Sequence, residues 1–256
     1  MLCNPSPARV YRHMRIHLLA GAIKPKTGPE WADKVKIDLD IQSDKVVNKV
    51  TGEVATVPAG ITYGDLNGQR VAVFSAASIG GIQLAHSPDF APGTGDFTLE
   101  VLLDADSVEL QSADNSTIIP LCMWGTYHAP GQPISLDVFY DNKYGGALNL
   151  GRSVGGLTSY LGLGNLGQID LSKKAHYVFQ RKDGVGTIYR NGQRVHTAAY
   201  TTNLNAAANA PFRIMSRRGG GTGNVWWRFN GKLIGFRLIH AAIYEDGPTI
   251  EVPEHF

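Results

Sequence analysis

The 256-residue chain is 43% hydrophobic and 18% charged, which excludes general disorder and predicts a folded, turn-rich protein with 30 glycines and 13 prolines. Its formal net charge of +2 gives no electrostatic reason to expect nucleic acid or a membrane surface as a partner. No apolar stretch is long enough for a transmembrane helix, and two cysteines, Cys3 and Cys122, are too few for a disulfide or metal framework. We therefore expect no nucleic-acid partner, no membrane insertion and two free thiols.

Residues 1–45 show neither a helical nor a strand period, and four prolines interrupt them. They predict an irregular N-terminal arm, which is basic because residues 1–36 carry seven lysines or arginines against two acids. A short apolar run at 16–23 is interrupted by His17 and is followed by no convincing small-residue cleavage site. We therefore expect no export through this segment.

Short β-branched and aromatic runs alternate with turn signals from Val46 to Tyr244. Asn67-Gly68 and Asn191-Gly192 stand between such runs, and Asn-Gly is the strongest short hairpin signal. Further predicted strands are 97–103, 118–124, 134–140, 146–152, 159–163, 176–181, 187–190, 212–216, 226–229 and 232–240. Regular spacing with almost no helical periodicity predicts an all-β antiparallel sandwich over residues 46–244. Residues 245–256 are acidic, contain two prolines and predict an extended C-terminal tail.

Three segments in this order carry a family resemblance: FTLEVLLDADS at 97–107, AHYVFQRKDGVGTIYRNGQRV at 175–195, and FNGKLIGFRLIHAAIY at 229–244. They resemble the laminin-G-like members of the concanavalin A-like lectin/glucanase superfamily. The matching residues are His176, Tyr189, Asn191, Gly192, Phe229, Asn230, Gly231, Arg237 and Tyr244. Ala175 replaces the family's usual aromatic residue, and the acid expected after the late Asn-Gly is replaced around Ile234-Gly235. The resemblance implies a jelly-roll sandwich, and a shared fold implies no particular activity.

Catalytic and cofactor motifs do not support an enzyme. The resemblance to glucanases would imply carboxylates spaced E-x-D-x-x-E on one strand, and that pattern is absent. Asp38 and Asp40 in KIDLDIQ are the nearest cluster and are better explained by a strand with one solvated face. GLGNLG at 162–167 is followed by no amphipathic helix that could hold a pyrophosphate. We expect neither an enzyme nor a bound cofactor.

Four aspartates lie beside predicted turns: Asp96, Asp104, Asp106 and Asp246. Carboxylate oxygens are calcium ligands, and the family resemblance implies a calcium ion at the rim of the sandwich as one alternative. The four show no recognisable ligand spacing, so turn capping is the favoured interpretation of these residues.

Two aromatic and basic clusters are the best candidates for a glycan or partner surface. Trp124, Tyr127 and His128 lead into one loop, and Arg217, Arg218, Trp226 and Trp227 flank a glycine-rich loop. A flat aromatic ring beside arginine donors suits a sugar or a partner protein. Adjacent strand residues point to opposite faces, so one of the two paired tryptophans belongs to the core. Ordinary packing beside a solvated loop is the favoured interpretation of these residues, and a binding surface is the alternative.

Two functions remain open. The favoured one is a non-enzymatic structural or adhesion component of a large assembly, most simply a bacteriophage virion protein in capsid decoration or the tail. The domain type is usually displayed outside cells, no export signal is expected, and an arm and a tail suit strapping to neighbouring subunits. The alternative is a self-contained, extracellular carbohydrate-binding lectin module. Expected partners are therefore neighbouring subunits of an oligomer or virion, or cell-surface glycans.

Overall fold

The structure, a computed structural model, describes residues 29–75, 78, 80–105, 118–124, 134–141, 147–154, 157–162, 174–205, 209–218 and 225–252. Two short 3₁₀ helices occupy Pro29–Lys34 and Pro88–Phe90. The strands are β1 Val35–Ile41, β2 Val46–Asn48, β3 Thr62–Leu66, β4 Gln69–Phe74, β5 Ile82–Leu84, β6 Phe97–Ala105, β7 Ile118–Trp124, β8 Ile134–Asp141, β9 Ala147–Val154, β10 Leu157–Gly162, β11 Ala175–Lys182, β12 Val185–Arg190, β13 Gln193–Ala199, β14 Phe212–Ile214, β15 Ser216–Arg218, β16 Val225–Arg228 and β17 Gly231–Ile239. Among these described residues, no helix has the length and apolarity needed to span a bilayer.

The strands form two antiparallel sheets and a two-stranded ribbon. The larger sheet has nine strands in the order β13-β12-β11-β6-β17-β1-β2, and β4 pairs with the free half of β17 and with β3. The second sheet has six strands in the order β10-β9-β8-β7-β14-β5, and β15 pairs with β16. The prediction of an all-β antiparallel sandwich is confirmed.

The main core lies between the two sheets and includes Trp124, Phe179, Phe212 and Phe236. A second core lies on the opposite face of the nine-stranded sheet, where Val178, Tyr189 and Ile239 pack against Ile243, Tyr244 and Ile250. Both faces of this sheet are therefore buried at its central strands β6, β11 and β17. This explains why β6 is buried along nearly its whole length, although one of its central residues is Glu100.

The predicted hairpin turns are present. Asn191 and Gly192 connect β12 to β13 with φ of 48° and 78°, and Asn67 and Gly68 connect β3 to β4 with φ of 55° and 81°. Positive φ at both central residues is what a type I′ turn requires, and this turn suits the twist of the flanking strands. The sequence therefore located both hairpins through their local backbone chemistry.

The predicted boundary at residue 45 is wrong, because β1 belongs to the sandwich. Residues 35–38 pair with the end of β17, and residues 39–41 pair with β2. The burial of β1 alternates strictly over its last five residues. The alternation of apolar and polar residues in KIDLDIQ indicates a strand. Its pairing partner, β17, lies about 200 residues away in sequence, so no local pattern could reveal the pairing. Residues 1–28 of the predicted arm lie outside the described residues.

The predicted tail packs on the chain's own sheet. The backbone N–H of Ile250 donates to the Gly192 carbonyl at 2.7 Å, and that of Arg194 donates to the Pro248 carbonyl at 2.8 Å. The Ile250 side chain lies in the second core. The tail thus covers part of the exposed edge at β13, where unpaired backbone groups would otherwise remain.

We predict that Gly192→Ala destabilises the protein by about 2 kcal/mol or more, whereas the matched change Gly68→Ala costs about 1 kcal/mol. Both glycines have positive φ, so both substitutions carry backbone strain. Only at Gly192 would the new Cβ also lie 2.5 Å from the Ile250 carbonyl oxygen, whereas at Gly68 nothing lies within 4 Å. Urea unfolding of the two variants measures the difference, and equal midpoints would show that the tail does not pack on this turn.

Candidate functional site

A cleft opens where three segments meet. They are the first 3₁₀ helix with the start of β1, the turn after β2, and the chain between β5 and β6. Its cavity volume is about 260 Å³. The described lining residues are Ala32, Asp33, Val35, Lys36, Val50, Thr51, Glu53, Ala85, His86, Ser87, Asp89 and Phe90. We refer to this feature as the cleft throughout.

The turn at 49–53 is held in place by the buried side chain of Asn48. Its Oδ1 accepts from the backbone N–H of Asp38 at 3.1 Å and of Val50 at 3.3 Å, and its Nδ2 donates to the Lys36 carbonyl at 3.2 Å. A buried amide with its hydrogen bonds satisfied specifies one local conformation. Asn48 therefore ties the turn to β1 and sets one wall of the cleft.

Glu53 fastens this turn to the opposite wall. Its Oε1 accepts from the backbone N–H of Ala85 at 2.6 Å. Ser87 then caps the second 3₁₀ helix, because its Oγ accepts from the N–H of Asp89 at 3.2 Å and Pro88 supplies a preset φ at the first helical position. The cap and the Glu53 bond together fix the segment that carries His86, Ser87 and Asp89.

The apolar side of the cleft rests on the main core. The His86 ring stacks on Trp124 at a centroid distance of 5.9 Å and an interplanar angle of 30°. Phe90 is buried beneath the cleft and makes an edge contact with Trp124 at 6.2 Å. Val50 forms an apolar rim, because 46% of it is exposed. The cleft therefore has an apolar base and one apolar residue, Val50, at its rim.

Charged groups lie around the cleft on all three segments. Asp33, Glu53 and Asp89 contribute carboxylates, and Lys36 contributes an ammonium group. His240 lies behind Phe90, and its burial, together with the charge of Lys36, lowers its pKa to about 4. The His240 imidazole is therefore uncharged at neutral pH and adds no positive charge to this region.

Trp124, a predicted binding residue, is a core residue. It is fully buried, and its Nε1 donates to the Ala210 carbonyl at 3.0 Å. The prediction that Trp124 contacts a ligand is therefore corrected: a fully desolvated indole with its N–H satisfied presents no surface to a sugar. Its contribution to the cleft is indirect, through the stacked ring of His86.

Four of the other predicted binding residues lie on the two-stranded ribbon. Arg217 and Arg218 lie on β15, and Trp226 and Trp227 lie on β16. The register pairs Arg217 with Trp227 across the ribbon. Tyr127 and His128 lie outside the described residues, so their proposed role stays a prediction.

Three of the four predicted calcium aspartates, Asp96, Asp104 and Asp246, lie among the described residues. Asp96 Oδ1 accepts from the backbone N–H of Asp183 at 2.9 Å, which is the turn-capping role that the sequence favoured. Asp104 Oδ2 lies 3.9 Å from Lys232 Nζ, Asp246 is exposed, and Asp106 lies outside the described residues. Over the described part of the chain, no three His, Cys, Asp or Glu side chains are grouped closely enough to hold a metal ion.

Asp38 and Asp40 are not arranged as a catalytic pair. Asp38 Oδ2 forms an ion pair with Lys49 Nζ at 2.9 Å, and Asp40 Oδ2 accepts from Gln42 Nε2 at 2.7 Å. Each carboxylate is thus bonded to a neighbouring side chain on the solvated face of β1. Both are partly exposed, as the sequence interpretation of a strand with one solvated face requires.

Glu100 lies at the centre of a cluster of polar side chains, and the cluster is buried. Its Oε1 accepts from Tyr244 Oη at 2.5 Å and lies 3.2 Å from His176 Nε2, while its Oε2 accepts from Arg237 Nε at 2.8 Å. Glu100 is fully buried, His176 and Tyr244 are 1% exposed, and only Arg237 is partly exposed. A carboxylate enclosed by its own chain cannot reach a substrate, so we assign this cluster to folding.

Sequence reasoning missed the cleft. Its walls come from residues 32–36, 50–53 and 85–90, and the first of these was assigned to the irregular arm. Each segment alone has an ordinary turn composition, so no local motif marks them. The available signal was the alternating burial period of β1, which would have placed the neighbouring residues at a sheet edge.

Comparison with known proteins shows the fold. No protein-family model and no curated protein sequence matches the chain. Among solved structures, the binding domain of Paraclostridial Mosquitocidal Protein 1 matches with a TM-score of 0.60 at 13% identity, covering 82% of this chain and 49% of that one. This chain therefore spans about half the length of that binding domain.

Two further matches are shorter domains. Domain 4 of AbnA, a GH43 extracellular arabinanase from Geobacillus stearothermophilus in complex with arabinotriose, has a TM-score of 0.56 at 13% identity and covers 82% of this chain and 95% of its own. The CBM40 of the Ruminococcus gnavus IT-sialidase has a TM-score of 0.51 at 11% identity, covering 71% and 97%. At such identities these three matches show a shared β-sandwich fold alone.

We predict that Glu100→Gln destabilises the protein by about 3 kcal/mol at neutral pH, because it leaves Arg237 and its neighbours without their buried counter-charge. Burial raises the pKa of Glu100, but the hydrogen bond from His176 and the charge of Arg237 outweigh it and hold the pKa below its ordinary value of 4.5. The unfolded chain therefore takes up this proton first as the pH falls. The stabilisation is complete above about pH 4.5 and is lost as the pH falls through the lower folded-state pKa.

Urea unfolding of wild type and variant at about pH 7 and about pH 3 measures both effects. The free-energy gap between the two proteins should narrow at the lower pH. Glu53→Gln is the matched control, since its amide oxygen can still accept from Ala85, and we expect its stability to change by no more than about 0.5 kcal/mol. A gap that stays constant with pH would show that Glu100 is not ionised in the folded protein.

Proposed function

We propose that the protein is a non-catalytic carbohydrate-binding module that holds a glycan in the cleft. The observation that carries this proposal is the composition of the cleft on a lectin-like sandwich. Hydroxyl, carboxylate and ammonium groups from Thr51, Ser87, Glu53, Asp89 and Lys36 surround an apolar base. Sites for small polar ligands typically combine apolar walls with a few fixed polar groups.

The chemistry of a sugar fits these groups. A sugar presents hydroxyl groups that both donate and accept, and an apolar ring face that packs on flat side chains. The cleft offers carboxylate acceptors, an ammonium donor and the ring of His86. Its volume of about 260 Å³ is below the range of roughly 300–1,000 Å³ for drug-sized ligands, which favours one sugar unit of a chain over a long enclosed segment.

The matched structures support the same class of ligand. One is bound to arabinotriose, one is the CBM40 of a sialidase, and a third is the binding domain of a toxin. The first of the three is a binding domain and the AbnA domain holds a sugar, which supports binding without catalysis. An extracellular location would follow from a glycan ligand, and we include it in the proposal.

A virion component, which the sequence favoured, becomes the second candidate. A virion role of this kind requires an N-terminal arm and a C-terminal tail that bind neighbouring subunits. The tail through residue 252 instead pairs with β13 and buries Ile250 in the chain's own second core. That observation favours the self-contained lectin module, and none of the three matched structures is described as a virion protein.

We predict that Thr51→Trp weakens glycan binding by at least about tenfold, because an indole on this exposed turn occupies the cleft. Thr62→Trp is the matched control, since Thr62 is exposed on β3 and does not line the cleft. A glycan array identifies the ligand, and isothermal titration of wild type and both variants measures its affinity. We expect binding without release of reducing sugar.

Two results would contradict the proposed site or the proposed function. Equal affinity in wild type and Thr51→Trp would move the site away from the cleft, and no bound glycan would contradict the function. Size-exclusion chromatography with light scattering separates the second candidate, because a clean monomer that binds glycan supports the lectin module. An obligate oligomer without glycan affinity would support assembly.

A further inference from the structure

Negative charge outweighs positive charge around the cleft. The described lining residues include three carboxylates, Asp33, Glu53 and Asp89, but one lysine, Lys36, and no arginine. Asp33 is already paired with Lys34, whose Nζ lies 2.8 Å from its Oδ2. Among the described lining residues, Lys36 is then the one lysine or arginine that remains to balance Glu53 and Asp89.

Both unbalanced carboxylates have oxygen atoms available to a ligand. Glu53 uses Oε1 to accept from Ala85, and none of the described residues bonds to its Oε2. No described residue donates a hydrogen bond to the Asp89 carboxylate, whose backbone N–H is held by Ser87. An ionised carboxylate can only accept hydrogen bonds. These oxygens are therefore complementary to hydroxyl donors.

A ligand carboxylate has the wrong chemistry for this arrangement. It is also an acceptor without a donor, so it cannot bond to Glu53 or Asp89, and it adds a third negative charge to a small space. Proteins that recognise carboxylates typically use the paired donors of arginine. Lys36 is a single flexible cation, and its Nζ already lies 3.5 Å from the Asp33 carbonyl oxygen.

We infer that the cleft selects uncharged sugars and rejects sialylated or uronic-acid-containing ones, an inference that rests on the proposed function. Discrimination arises from charge and hydrogen-bond polarity at Glu53 and Asp89. The preference for uncharged glycans should therefore depend on those two carboxylates and on ionic strength. A preference based on ligand size would depend on neither.

The experiment compares matched glycans that differ by a carboxylate. Titration calorimetry measures the affinity of the full chain for lactose against 3′-sialyllactose and for galactotriose against trigalacturonate. In each pair that binds, we expect the uncharged glycan to bind at least about tenfold more tightly than the acidic one at low salt. We call this ratio of affinities the discrimination ratio, and we expect it to be smaller at high salt.

Glu53→Gln and Asp89→Asn test the cause. Each keeps the shape of its side chain and removes one negative charge, so each should reduce the discrimination ratio by roughly fivefold. Asp44→Asn is the matched control, since Asp44 is an exposed carboxylate that does not line the cleft, and it should leave the ratio unchanged.

The outcomes separate this inference from the proposed function. The selectivity would be overturned if acidic glycans bound as tightly as their uncharged partners and Thr51→Trp weakened their binding. The proposed binding function would still stand in that case. A preference for uncharged sugars that neither salt nor the two variants alter would overturn its electrostatic basis. Absence of binding to every glycan would overturn both.

Discussion

The ionised side chain of Glu100 is the constraint on which the larger sheet depends. It lies in the middle of β6, where both faces of the sheet are covered, and a buried carboxylate without partners would cost several kcal/mol. Arg237 lies opposite Glu100 in the register between β17 and β6, and Tyr244 reaches it from the segment after β17. The charge is therefore tolerated only when the last strand and the following segment are both in place.

The same segment is fastened by two further polar residues of the sheet. The Gln180 amide donates to the Tyr244 carbonyl at 2.8 Å and accepts from the Tyr244 N–H at 2.9 Å, while Thr98 Oγ1 donates to the Ala241 carbonyl at 2.8 Å. Side chains thus replace the strand that would pair with this backbone. The second core then continues along the tail to Ile250, which reaches the Asn191-Gly192 turn.

The cleft lies where β1 enters the sheet, so its geometry depends on the same framework. β1 pairs with the end of β17, and His240, directly after β17, donates its backbone N–H to the Lys34 carbonyl at 2.9 Å. The opposite wall is attached to the main core through His86 and Trp124. A rigid sandwich therefore positions short polar turns, an arrangement that suits ligand binding because the turns can vary without loss of the core.

Local chemistry in the sequence determined the strands, the Asn-Gly hairpins and the sandwich class, since alternation and positive-φ turns act over a few residues. It also placed His176, Arg237 and Tyr244 on a family pattern without revealing that all three converge on Glu100. Only tertiary structure decided which carboxylate is buried, that Trp124 supports the cleft from within the core, and that β1 joins β17. Those outcomes depend on pairings between distant segments, and a side chain's environment is set by what the other segments place around it.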